Sequence, residues 1–263
     1  MTEKSTALPD YGNWVPKKMI FTAGIIAMSL SALTIVLLSN AYGVLAVIAG
    51  SAALFFVGVF FYFLYAHHAF SPKGGNLQNR IYDLILDHID FSNRGQIIDI
   101  GCGNGGLTIK MAKKYPEATL TGIDYWGGMW DYSERTCVEN AKAEGVDTRT
   151  VFRQASASSL PFDDGIFDLA ISNFVFHEVR DARNKKDVIK EALRVVKKGG
   201  NFVFQDLFQS RLYYGGIGDM VEEIRSWGTE KVVFVDTSKS DFIPKALKLP
   251  FMVGRIGIIC GVK

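Results

Sequence analysis

Hydrophobic and polar positions divide this chain into two unlike parts. Between residues 19 and 66 there is no charged side chain at all. Residues 19–38 are an unbroken run of apolar and small hydroxyl residues, long enough as a helix to cross about 30 Å of hydrocarbon. A short uncharged turn at 39–43 leads to a second apolar run at 44–66, rich in Phe and Tyr. A cleaved signal peptide fits poorly, because one long run is followed at once by another. The pattern predicts a transmembrane helical hairpin at 19–66, behind a polar tail at 1–18. Lys4, Lys17, Lys18, Lys73 and Arg80 all flank it on one side, so both ends are expected on the cytoplasmic side of a cell membrane. Ser29, Ser31, Ala32, Ala46, Ala49, Gly50, Ser51 and Ala52 are the small residues expected where the two helices approach.

After the break at Ser71, Pro72, Lys73, Gly74 and Gly75 the pattern changes. Apolar positions recur at helical spacing through 77–90, predicting an amphipathic helix that either covers a sheet edge or lies on a membrane surface. With the break it forms a linker over 67–95. From residue 96 to the end, short apolar runs alternate with helical patterns. Strands are expected at 97–100, 119–123, 150–153, 167–172, 201–205, 231–235 and 257–262, and helices at 105–115, 132–144, 186–197 and 217–227. Such alternation implies a Rossmann-like α/β fold, a doubly wound and mostly parallel seven-stranded sheet.

Composition and charge change this picture little. A net charge of +2 gives no electrostatic case for nucleic acid. Cys102, Cys137 and Cys260 make neither a disulfide framework nor a zinc spacing, and the four histidines form no metal-ligand motif, so no metal is expected. Oligomeric state is not written in the sequence.

The chemistry gathers where the first strand meets its helix, at Asp99, Ile100, Gly101, Cys102, Gly103, Asn104, Gly105 and Gly106. A strand, a glycine turn and a helix start bring backbone N–H groups close to a nucleotide-type ligand. Asp124 lies about 20 residues on, where ribose hydroxyls are held. By themselves these residues do not separate a nicotinamide cofactor from S-adenosylmethionine.

Four stretches in order decide it. They are the glycine loop with Asp99 two places ahead of Gly101; Thr121-Gly122-Ile123-Asp124; the run from Leu160 to Asp168 (LPFDDGIFD); and the run from Ala192 to Gly200 (ALRVVKKGG). Across about residues 96–208 the chain resembles the class I S-adenosylmethionine-dependent methyltransferases, particularly their small-molecule branch. That resemblance implies S-adenosylmethionine as cofactor. It implies that Asp99 and the backbone of Gly101, Cys102, Gly103, Asn104 and Gly105 hold its methionine end, and that Asp124 takes the ribose. Tyr125 or Trp126 would lie on the adenine face; the alternative for Trp126, with Gly127, Gly128, Met129 and Trp130, is a loop resting on lipid. Ser156 and Ala157 fall where the family has an acid and a small residue reading adenine, and Ser156 departs from that acid. Asn173 would sit beside the transferred methyl. Asp99 is also open to the plainer role of tying down the loop, and Cys102 to that of a small filler.

Methyl transfer needs a base only when the acceptor must lose a proton. His177, just beyond the fourth strand, is the best placed candidate, with Asp206 at the end of the fifth strand next. Tyr213 and Tyr214 are candidates for the acceptor pocket, as are Phe174, Phe176, Phe202, Phe204 and Phe208, although alternation on strands equally describes plain core. The hairpin and these aromatics point to a small lipophilic acceptor such as a lipid amine, a quinone-like phenol or a thiol. The competing class is a membrane sensor or scaffold that binds the cofactor without turnover; a nicotinamide reductase is disfavoured by Asp99 and the later motifs.

Overall fold

Side chains that alternate along each central strand divide a seven-stranded sheet into two buried faces, because successive residues of a strand point in opposite directions. The computed structural model describes residues 8–127 and 130–263. It falls into two compact units, one of residues 12–79 with 130–131 and the other of residues 8–11, 80–127 and 132–263.

The larger unit carries the sheet. Its strands are β1 (Arg94–Ile100), β2 (Glu117–Asp124), β3 (Thr150–Gln154), β4 (Phe167–Asn173), β5 (Val196–Asp206), β6 (Lys231–Val235) and β7 (Gly257–Val262), in the spatial order β3-β2-β1-β4-β5-β7-β6. The pairs among β1 to β5 are parallel, and β7 runs antiparallel to both β5 and β6. On one face Ile98, Ile100, Ala170, Phe202 and Phe204 pack against Val188, Ile189 and Leu193 of helix α6 (Lys185–Arg194) and Met220 and Ile224 of α8 (Ile217–Ser226). On the other, Ile97, Leu169, Ile171, Val203 and Ile258 meet α3 (Leu77–Leu86), α4 (Gly106–Lys114) and α5 (Glu134–Ala143). Covering on both faces explains why the central strands read as nearly continuous apolar runs. A four-residue helix, α7 (Arg211–Tyr214), was not foreseen; it follows β5 at the sheet's carboxyl edge.

The amphipathic helix expected at 77–90, on a sheet edge or a membrane surface, is observed at Leu77–Leu86 and packs into the core on one face of the sheet. Ile81 and Ile85 are fully buried, and Ile85 belongs to the same cluster as Ile97 and Leu107. The strand expected at 201–205 is longer: β5 begins at Val196, takes in Lys198, Gly199 and Gly200, and pairs with β4 through a register shift. Gly199 takes φ +74° there, so the strand bends at that residue without breaking.

The smaller unit contains α1 (Lys17–Ser39) and α2 (Gly43–Phe70), two helices long and apolar enough to cross a membrane. Their large side chains, among them Phe21, Ile25, Ile35, Leu45, Ile48, Leu54 and Phe55, are exposed, while Ala23, Ala27, Ala46, Ala49 and Ala53 are buried. A Cβ on Gly24 would approach the Phe60 ring at 3.2 Å, and one on Gly50 would meet Thr34 at 3.4 Å. Ala46 and Ala49 are therefore on the close face as expected. On α1 the small face is Ala23, Gly24 and Ala27, whereas Ser29, Ser31 and Ala32 are exposed. Ser31, Thr34, Ser39 and Ser51 each donate a hydroxyl to the carbonyl four residues earlier, so these polar groups need no water. Lys4 lies outside the described residues.

Candidate active site

The carboxyl ends of the five parallel strands bring the candidate residues to one edge of the sheet, the edge where ligands bind in open α/β sheets. Helix α4 starts there. Its N-cap, Gly105, is left-handed at φ +79° and carries no capping side chain. Asp99 supplies the missing acceptor: it is buried, takes the Thr108 hydroxyl at 2.6 Å on Oδ2, and also accepts the Thr108 backbone N–H. Burial pushes the Asp99 carboxyl up to about 7 against the pull of these bonds. These bonds fasten the loop to the helix. Arg149 fastens the opposite end of α4, donating to the carbonyls of Ala112, Tyr115 and Ala118.

The glycine loop is held from several sides. Gly101 sits at φ +76°, and a Cβ there would fall 2.0 Å from Val175 Cγ2, so a neighbouring side chain, not a ligand, excludes any larger residue. Cys102 is a buried filler, as expected, close against Gly122. The Gly103 carbonyl accepts from the Trp126 indole at 2.8 Å and from the Cys137 thiol. Asn104 is buried and turned away from the open edge, its Oδ1 accepting Ser133 N–H and its carbonyl accepting Asn140 Nδ2. The Tyr132 ring lies 3.4 Å from a Cβ position on Gly103, and Tyr82 and Tyr11 lie over Gly106.

Asp124 ends β2 with its carboxylate over this loop. Oδ2 accepts Gly103 N–H and Oδ1 accepts Trp126 N–H, each at 2.9 Å. Burial raises its pKa despite these donors. A carboxylate offers about four lone-pair sites, so both oxygens retain room for a diol. The bond to Trp126 closes a tight turn that holds Trp126 at φ +44°, a strained value for an aromatic residue. Trp126 is thereby folded onto the glycine loop, half-buried against the core. Tyr125 is 69% exposed beside it. Gly128 and Met129 of that loop lie outside the described residues.

At the end of β3, Ser156 bonds Asp181 and Ser158, while Ala157 is turned into the core. Asn173 ends β4 beside Phe174, which is strained at φ +59°. The buried Asn173 Oδ1 has no hydrogen-bond partner, an open acceptor at the point where β4 leaves the sheet. That acceptor, the Asp124 carboxylate and the narrow glycine loop suit a ligand bearing an ammonium and a ribose diol. These residues fit S-adenosylmethionine.

His177 and Asp206, weighed separately in the sequence, form one pair. Neighbouring strands bring them together, and His177 Nδ1 lies 2.6 Å from Asp206 Oδ1. Asp206 is fully buried and also accepts the backbone N–H of Leu207 and His177. Burial disfavours the imidazolium, but the Asp206 charge and hydrogen bond outweigh it, so the His177 pKa is raised. Bonding through Nδ1 leaves Nε2 toward Glu178 Oε1, 3.7 Å away. The ring is flanked by Phe174 and Tyr213, with centroids at 6.2 and 5.7 Å. Phe176, Phe202, Phe204, Phe208 and Tyr214 are buried in the core, and alternation along β5 turns Phe202 and Phe204 to its inner face. Tyr132 and Asp181 were missed: each reaches the site from a loop with no recognisable spacing to the motifs.

Comparison with known proteins agrees with this geometry. A methyltransferase domain family model matches residues 98–204. A norajmaline N-methyltransferase from Rauvolfia serpentina is 34% identical over 108 residues, covering 41% of this chain and 34% of that one. A sterol 4-C-methyltransferase from Caenorhabditis elegans is 29% identical over 151 residues, 56% and 42%. A ubiquinone/menaquinone biosynthesis C-methyltransferase from Desulfotalea psychrophila is 30% identical over 112 residues, 43% and 41%. The chain thus spans less than half the length of these curated relatives. Among solved structures, geranyl diphosphate methyltransferase in complex with S-adenosylmethionine aligns with a TM-score of 0.54 at 15% identity, covering 78% of this chain and 90% of that one. The [4+2]-cyclase SpnF also aligns at 0.54, with 18% identity and coverage of 70% and 79%. Residues 98–204 thus match a methyltransferase domain family model and take the fold of solved methyltransferases, and S-adenosylmethionine is the cofactor these matches support.

Proposed function

We propose that this chain is a membrane-anchored S-adenosylmethionine-dependent methyltransferase acting on a small lipophilic acceptor, with His177 as general base and Asp206 as the group that orients it. The observation that carries the reading is the 2.6 Å bond between His177 Nδ1 and the buried Asp206 carboxylate at the carboxyl edge of the sheet. When bound, the cofactor supplies an activated methyl on a sulfonium whose departure needs no acid. The protein's task is to align the acceptor, exclude water and take up a proton. With Nδ1 committed to Asp206, Nε2 of neutral His177 is the nitrogen that accepts the acceptor's proton, and Asp206 stabilises the resulting imidazolium. Phe174 and Tyr213 flank that ring and suit an apolar acceptor bearing one ionisable hydroxyl, amine or thiol.

Support for a lipophilic acceptor comes from helices α1 and α2, read as a membrane hairpin, and from relatives whose names specify a sterol and quinones. Lys17 and Lys18 before the hairpin, with Lys73 and Arg80 after it, favour a cytoplasmic location for the N-terminus and the methyltransferase domain of a cell-membrane protein. The test is transfer of labelled methyl from S-adenosylmethionine into a membrane lipid extract by the full chain. A labelled product names the acceptor. Cofactor binding without any labelled product refutes the enzyme reading in favour of a sensor or scaffold, and full activity in both His177→Ala and Asp206→Asn removes the pair from the mechanism.

A further inference from the structure

Ser156 stands at the end of β3, and Ala155 N–H donates to the Asp124 carbonyl at 3.0 Å, so Ser156 and the ribose candidate are neighbours across two adjacent strands. Residues 156–159 form a tight turn, closed by Ser159 N–H on the Ser156 carbonyl at 3.2 Å. That turn presents two hydroxyls to one carboxylate from another loop. Ser156 Oγ donates to Asp181 Oδ2 at 2.8 Å, and Ser158 Oγ donates to the same oxygen at 2.7 Å. Ser156 Oγ in turn accepts Ser158 N–H at 3.3 Å, which fixes the orientation of the first hydroxyl.

The arrangement steers a charge. Two donors on Oδ2 leave the lone pairs of Oδ1 available to a further donor. The same bonds hold the Asp181 pKa below the ordinary carboxylate value, so it remains an anion and a pure acceptor. Asp181 is exposed, so this acceptor opens to solvent and to a ligand. Adenine bound with its ribose at Asp124 carries one exocyclic donor group, the 6-amine, and a carboxylate oxygen is its complement.

We propose that Asp181, held by Ser156 and Ser158, is the specificity-determining residue that reads the 6-amine of the cofactor's adenine. The inference rests on the S-adenosylmethionine reading above. Ser156, whose side chain is no acid, contributes by aiming the acid of another loop.

The test is a cycle between ligand and protein. Full-length chain in lipid nanodiscs is titrated by calorimetry with S-adenosylhomocysteine and with the analogue whose base is unsubstituted purine, lacking only the 6-amine. In the wild type, loss of the amine is expected to weaken binding roughly tenfold or more, the scale of a hydrogen bond to a charged group. In Asp181→Ala the two ligands are expected to bind within about twofold of each other, because the amine has lost its partner. A role confined to clamping two loops would weaken both ligands alike and preserve the ratio, and a preserved ratio overturns the proposal. Should Asp181→Ala fail to fold, the double variant Ser156→Ala/Ser158→Ala reads the same point with the carboxylate retained: discrimination must fall, and unchanged discrimination again overturns it. Failure of the wild type to bind either ligand is a different result, since it removes the cofactor reading itself and this inference with it.

Discussion

Asp99→Asn tests the most heavily perturbed carboxyl at the cofactor loop. Its pKa rises from 3.8 to about 7, with burial as the largest cause. At 1.36 kcal/mol per unit, a shift of that size corresponds to roughly 4 kcal/mol. The direction follows from proton counting. Between these two values the native state binds a proton that the unfolded state has released, so the contribution is complete below about pH 4 and is lost as pH rises through about 7. Asparagine has no such proton, yet its carbonyl oxygen still accepts from Thr108. The variant is therefore expected to lose a stability slope, whatever its absolute stability becomes. The assay is the apparent melting temperature of the full chain in nanodiscs from pH 5 to pH 8, followed by tryptophan fluorescence. His177 adds slope in the same range to both proteins and cancels in the difference. Wild type should lose stability toward pH 8 relative to Asp99→Asn by a few kcal/mol. Parallel profiles would refute the claim that Asp99 carries a buried proton.

Three further outcomes are expected. Asp206→Asn should lower kcat/KM by about 10²–10⁴ if the acceptor must be deprotonated; removing the charge that raises the His177 pKa should move the acid limb of the pH–rate profile to lower pH, and an unmoved limb counts against the pair. Gly101→Ala places a methyl 2.0 Å from Val175 Cγ2 at φ +76° and should destabilise by roughly 2–4 kcal/mol, with Val175→Ala restoring part of the loss in thermal melts. Asn140→Ala removes the buried amide that binds Asp10 N–H, the Asp10 carbonyl and the Asn104 carbonyl; it should cost roughly 1–3 kcal/mol and release the Asp10 amide to faster hydrogen exchange.

What could be read in the sequence, and what could not, follows the distance over which each feature is encoded. The hairpin, the alternation of strands and helices, and the glycine turn are local signals carried by neighbouring residues, and the observed elements fall close to where those signals place them. The His177–Asp206 bond is of another kind. The two residues are 29 positions apart, and only the pairing of β4 with β5 brings an imidazole and a carboxylate within 2.6 Å. The Ser156–Asp181 bond spans 25 positions and is no more legible, since nothing in a linear pattern says which carboxylate Ser156 meets. Residues before the hairpin repeat the lesson. The stretch before the hairpin reads as a polar tail, yet Asp10 bonds to Asn140 on α5 and Tyr11 to Glu144 at its C-cap, and Tyr11 lies against Gly106 at the start of α4. No amphipathic period announces this, because the contacts are made by backbone groups and single side chains. Asp10 and Tyr11, which precede the apolar helices in sequence, thus belong to the cofactor-loop side of the sheet unit, and a truncation that removes them as dispensable would loosen α5 and the glycine loop together.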